Sequence, residues 1–162
     1  MDEFYPSLAR GVARRPDFVT MKRLSILIAD DSPDVCSLLA IWLNDHHVVS
    51  VHSGSEALSA LALLYFDLVI TDVNMPDVSG LEVIQRLKKF QPSVQVLAIS
   101  GGSSLLTSSA CVATATDAGA DAALMKPFDE GQLREAIQRC LDHESTAHDG
   151  KAARSMAPVE HA

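Results

Sequence analysis

Five short apolar runs recur along the chain, and each is followed by a stretch with helical spacing. The runs are "LSILIA" (24–29), "HVVSV" (47–51), "DLVIT" (67–71), "VQVLAIS" (94–100) and "AALM" (122–125). Short β-branched runs bounded by turn residues read as strands. Most are apolar at nearly every position rather than at alternate ones, so both faces of their sheet must be covered. The intervening stretches supply the cover. Ser32 and Pro33 suit the N-cap and first turn of a helix running through Trp42. Ser53 or Gly54 opens a second helix, with Ala57, Leu58, Leu61, Leu64 and Tyr65 spaced for one face. A third runs from Gly80 to Phe90, with Leu81, Ile84 and Leu87 inward, and stops before Pro92. Residues 105–118 form a fourth, rich in Ser, Thr and Ala. Asp129 or Glu130 opens the last, burying Leu133, Ile137 and Leu141. Such regular alternation predicts an α/β fold, a doubly wound five-stranded parallel sheet with helices on both faces.

The pattern spans residues 22–142. Residues 1–21 show no sustained periodicity and read as a flexible extension, with Met21 a candidate natural start. Residues 143–162 are polar and aperiodic, and read as a disordered tail too short for an output domain. A folded part of about 120 residues buries roughly two-thirds of its unfolded surface and needs no covalent staple. Cys36, Cys111 and Cys140 are widely spaced within helical patterns, so reduced packing thiols in a cytoplasmic protein are expected. The formal charge of −8 argues against direct contact with nucleic acid. No apolar run approaches the ~18 residues of a membrane span. Arg14-Arg15 precedes only the short run "SILIA", which rules out an export signal.

In open parallel sheets, ligands bind beyond the carboxyl ends of the strands. Asp30 and Asp31 end strand one, and Asp72 ends strand three. Ser100 ends strand four ahead of Gly101 and Gly102. Lys126 ends strand five ahead of Pro127 and Phe128. Residues up to 96 positions apart thus converge on one rim. Two carboxylates about 4 Å apart repel by on the order of 4 kcal/mol at an effective dielectric of about 20. Three therefore need a cation or a shared proton. Lys126 supplies one, and a hard dication with oxygen ligands, Mg²⁺, suits the remainder. An Asp beside Mg²⁺, a lysine and a small hydroxyl can accept a phosphoryl group as a covalent nucleophile.

The motifs "ADDSP" (29–33), "TDVNMPDVSG" (71–80), "AISGG" (98–102) and "MKPF" (125–128), in this order, resemble the receiver domain of two-component response regulators. That resemblance implies a flavodoxin-like, CheY-like sheet of order 2-1-3-4-5. It implies Asp72 as phospho-acceptor, with Asp30, Asp31, Asp72 and the Asn74 backbone carbonyl holding Mg²⁺. Ser100 is then the hydroxyl that turns toward the phosphate and Lys126 the ion-pairing lysine, with a cis Lys126–Pro127 bond. The implied role is that of a stand-alone response regulator. It takes phosphate from a sensor histidine kinase or histidine phosphotransfer protein, then signals to a protein target or acts as a phosphate sink. It is no enzyme beyond Mg²⁺-dependent self-phosphorylation and self-dephosphorylation. Neither nucleic acid nor membrane is an expected partner.

Rival chemistries fail on particular residues. A nucleotide cradle after strand one would want small residues and free amides, whereas "DDSPD" repels phosphate. A strand-end Asp phosphatase of the dehalogenase type expects a second Asp at position 74, which is Asn. His46, His47 and His52 lack metal-ligand spacing and read as surface or strand-edge residues. Glu82, Lys88 and Lys89 read as a solvated helix face. Two departures from the resemblance stand out. Family members usually carry Tyr or Phe three residues before the lysine, and here that position is Ala123. The stretch from Ser100 to Lys126 is also about four residues longer than usual, and its Ser/Thr/Gly content predicts a mobile loop and fourth helix. The missing aromatic keeps open an alternative: a receiver-like binding module that ignores phosphorylation.

Overall fold

The computed structural model describes residues 22–101 and 108–149. Strands β1 (Ser25–Ala29), β2 (His47–Val51), β3 (Leu68–Asp72), β4 (Gln95–Gly101) and β5 (Ala122–Lys126) alternate with helices α1 (Pro33–Trp42), α2 (Gly54–Leu63), α3 (Gly80–Phe90), α4 (Ser108–Asp117) and α5 (Glu130–Asp149). The strands form one sheet of order β2-β1-β3-β4-β5, and every pairing is parallel. Fold class and strand order are those expected from the sequence.

Alternate strand residues serve opposite slabs of core. Ile26, Ile28, Leu68, Ile70, Leu97 and Ile99 pack with α1 and α5 through Cys36, Leu39, Leu43, Leu133, Ile137 and Cys140. Leu27, Ala29, Val69, Val96 and Ala98 pack with α2, α3 and α4 through Ala57, Leu61, Val83, Ile84, Leu87 and Ala115. The helix starts are built as read. The side chains of Ser32, Ser53 and Ser79 accept N–H bonds from Val35, Glu56 and Glu82, and Pro33 follows its cap. Gly119 ends the turn after α4 with φ of 108°, a left-handed conformation that favours glycine.

The structure corrects several expectations. Leu64 is the exposed C-cap of α2, and Tyr65 is exposed beyond it, because the helix stops at Leu63 before either can turn inward. Helix α5 continues through Asp149, seven residues past the expected end of the domain at 142. Helix α4 begins at Ser108, and the rest of the loop proposed as mobile, 102–107, lies outside the described residues. So do residues 1–21 and 150–162, on which the N-terminal extension and most of the C-terminal tail fall. His46 is not a surface residue. Its side chain is nearly buried, and Nδ1 accepts the Leu24 N–H at 3.4 Å. His47 and His52 are exposed as expected. Lys88 is not solvated either. Its ammonium pairs with Asp121 at 2.7 Å and donates to the Val94 carbonyl at 2.8 Å. Asp121 also accepts the Val96 N–H, so this pair ties α3 to the start of β4 and the turn before β5. Among the described residues no helix is long and apolar enough to cross a membrane.

Candidate functional site

The carboxyl ends of β1, β3 and β5 meet at one point. Asp30 is 1% exposed and Asp72 5% exposed. Lys126 reaches between them, its ammonium 2.8 Å from Asp30 Oδ2 and 2.8 Å from Asp72 Oδ1. The remaining carboxylate oxygens are also engaged. Asp30 Oδ1 accepts the Ser32 N–H at 2.9 Å, and Asp72 Oδ2 accepts the Asn74 N–H at 2.6 Å. Each acid is therefore aimed by the first residues of the loop that follows it. The Lys126–Pro127 bond is cis. Phe128 packs edge-on against Trp42 of α1, with ring centroids 6.3 Å apart.

The loop between β3 and α3 is held at two points. Gly80 N–H donates to the Val73 carbonyl at 3.0 Å, bringing α3 hard against the end of β3. Asp77, which the sequence reading passed over as loop, accepts the Gly54 and Ser55 N–H groups at 3.1 Å and the Ser55 hydroxyl. The Ser55 hydroxyl bond, with the backbone donors, holds the Asp77 carboxyl well below the usual carboxylate range. A carboxylate on the first amides of a helix is a favourable end contact, and the Gly-Ser start of α2 was the available signal for it.

Ser100 is buried at the end of β4, one residue beyond the position that pairs with Asp72. Its hydroxyl has no hydrogen-bond partner among the described residues. Asp31, the next residue in the chain, is exposed at the rim. Among the described residues no three His, Cys, Asp or Glu side chains gather as a metal-ligand set. The expected trio of converging acids is thus a buried pair plus one exposed neighbour, with Lys126 in the cation position. The donor chemistry still fits a hard dication. Two carboxylates with one ammonium leave a net negative charge, the ligands are all oxygen, and a third acid follows directly in the chain. Cys36 and Cys140 are buried, and burial pushes both thiols up, Cys140 to about 12, as suits packing residues.

Burial pushes the Asp72 carboxyl above the usual carboxylate range, against the downward pull of the Lys126 hydrogen bond and charge. Burial also works against the Lys126 ammonium, yet its bonds to Asp30 and Asp72 hold it above its ordinary value. The lysine gains from the contact, then, while Asp72 carries a net cost for being ionised. For an acid raised in the folded state, that cost is absent below its unfolded pKa and grows as pH rises through the folded value. Asp72→Asn is accordingly expected to raise the melting temperature at pH 7 by about 4 °C, on the order of 1 kcal/mol, with the gap closing near pH 4. Thermal melts across that range check it. A variant less stable at pH 7 would show that the ionised pair is net stabilising.

An open parallel sheet with a buried acid–lysine–acid bridge at its carboxyl rim defines the class. The family model described as the response regulator receiver domain matches residues 26–138. The chain belongs to that family, the receiver domain of two-component systems. It is 31% identical to the transcriptional regulatory protein ZraR of Salmonella typhimurium, over 75% of this chain and 27% of that protein. It is 35% identical to the response regulator protein PilR of Pseudomonas aeruginosa, over 86% of this chain and 36% of that one. The chain thus spans about a quarter to a third of these relatives. Among solved structures, the BeF3-activated DrrB receiver domain aligns with a TM-score of 0.65 and 26% identity, covering 74% of this chain and 98% of that one.

Proposed function

We propose that Asp72 is the phospho-acceptor of this receiver domain. The observation that carries this reading is the Lys126 ammonium bridging two buried carboxylates from strands distant in sequence. Asp72 Oδ attacks the phosphorus of a phosphohistidine on a sensor kinase or phosphotransfer protein. A phosphorus–oxygen bond forms, the phosphorus–nitrogen bond breaks, and the imidazole leaves with a proton. Lys126 moves from the carboxylate to the phosphoryl oxygens, and the buried Ser100 hydroxyl, without a partner among the described residues, turns to donate to another. Asp30, Asp31, Asp72 and the Asn74 carbonyl would hold Mg²⁺, which offsets the charge of the incoming phosphoryl group. Both relatives are regulators by name, and the similar DrrB receiver domain is described as BeF3-activated.

Output is then a protein contact or passive uptake of phosphate in the cytoplasm. The exclusion of nucleic acid drawn from net charge loses its support here, because ZraR is a transcriptional regulatory protein and the match covers only part of it. A second reading rests on Ala123, which lies partly buried against the α2–α3–α4 slab with no aromatic ring at its position. That reading is a binding module indifferent to phosphate. One experiment separates the two. Incubation with acetyl phosphate and Mg²⁺ is expected to add a single phosphoryl group, about 80 Da, mapped to Asp72 and absent from Asp72→Asn. An unmodified parent protein would favour the binding module.

A further inference from the structure

The C-terminal ends of α2 and α3 carry apolar surface that the acid–lysine site does not use. Leu63 is 82% exposed, Leu64 50%, Tyr65 89% and Phe90 76%. They belong to one region. Gln91 Nε2 donates to the Leu61 carbonyl at 3.1 Å and holds the two helix ends side by side. Between them lies a groove of about 300 Å³, walled by Leu58, Leu61, Leu87 and Phe90 with Arg86 and Gln91 at its polar edge. Side chains this large and this exposed leave on the order of 600 Å² in water, the upper end for a monomer's largest apolar patch. The patch sits at the amino end of the strands. Ser25 Oγ donates to the Tyr65 carbonyl at the start of β1, whereas Asp72 closes the far end of β3.

We propose that this α2–α3 face is a self-association surface and that its occupant is a second copy of the chain. Area is the first argument. A two-fold contact uses the same patch twice, so about 600 Å² per copy gives about 1,200 Å² in total, where specific interfaces begin. Charge is the second. The chain carries a formal −8, so copies repel over most of their surface. Around this patch the charges are already paired: Lys22 with Asp67, Arg86 with Glu82, and Lys88 with Asp121. Lys89 stands 5.8 Å from the Phe90 ring centroid and adds a positive charge rather than a negative one. Shape is the third. The groove has room for one aromatic ring, and Tyr65, two residues past the end of α2 and 89% exposed, carries a hydroxyl able to stay at a wet rim. Tyr65 of each copy seats in the groove of the other.

Sedimentation equilibrium of the full unphosphorylated chain tests this. A reversible monomer–dimer equilibrium is expected. Tyr65→Ser and Phe90→Ser are each expected to weaken it at least tenfold with unchanged melting temperature at low concentration. Asp72→Asn is expected to leave it unchanged, so the outcome is independent of phosphorylation. A monomer at every concentration overturns the proposal and leaves the face to a different protein. A dimer that both serine variants leave intact overturns it equally.

Discussion

Lys126→Met is expected to lower the melting temperature at pH 7 by about 10 °C, and Mg²⁺ is expected to restore much of the loss. Methionine keeps the length and apolar stem of the side chain but removes the ammonium. Asp30 and Asp72, both nearly inaccessible to water, then face one another with no cation between them. Removing one partner of a buried pair costs about 3–5 kcal/mol. Lys126 is 29% exposed, so water offsets part of this and about 2–3 kcal/mol remains. Acid and base move the effect in opposite senses. Because the lysine is raised in the folded protein, its contribution is fully present below its ordinary pKa near 10.4 and fades as pH climbs through the raised value. In the variant, Asp72 loses the downward pull of the lysine and rises further, so lowering the pH toward about 4 supplies a proton where the ammonium was and narrows the gap. A dication does the same at neutral pH. By mass action a ligand that binds only the folded form stabilises it, and the more negative pocket binds it more tightly. Melts of both proteins with and without Mg²⁺ check this. A shift no larger in the variant than in the parent would show that the Asp30–Asp72 pocket is not where the metal goes.

What could be read from the sequence followed from period and position. The strands announce themselves because residues such as Ile26 to Ile28 are apolar without interruption, which only a sheet covered on both faces requires. The convergence of Asp30, Asp72 and Lys126 was legible because each stands directly after such a run, so locating the strands located the bridge. Charge pairing was not legible. Lys88 looks like any exposed lysine of α3, and its partner Asp121 lies 33 positions away. Asp31 shows the converse. Of the two neighbouring acids Asp30 is buried and Asp31 exposed, and nothing in the pair's sequence tells them apart. Tyr65 and Leu64 fit the helical period yet fall past the last turn of α2, and periodicity alone does not mark where a helix stops.

Gly80→Ala is expected to cost about 3 kcal/mol or more and to slow phosphorylation of Asp72 by about a hundredfold, although it adds one methyl group. A Cβ at position 80 would lie 1.9 Å from the Asp72 carbonyl oxygen, 2.8 Å from its carbonyl carbon and 3.0 Å from Thr71 Oγ1. These are mostly backbone atoms of a central strand, so no side chain can swing aside. Either α3 withdraws, breaking the Gly80 bond to Val73, or the end of β3 shifts. Both displace the residue whose carboxylate must meet the incoming phosphorus, and a misplacement of about 1 Å is enough for that loss in rate. On a domain of this size the stability cost corresponds to about 12 °C. Gly131→Ala is the control. It too stands in the first turn of a helix, but its nearest neighbour is a side-chain oxygen rather than backbone, Asp129 Oδ1 at 3.3 Å, which caps α5 through the Gln132 N–H, and alanine is the better helix former. It should melt within a few degrees of the parent and accept phosphate at the parent's rate. If Gly80→Ala behaved like Gly131→Ala, the close approach of α3 to β3 would not be what fixes Asp72 in place.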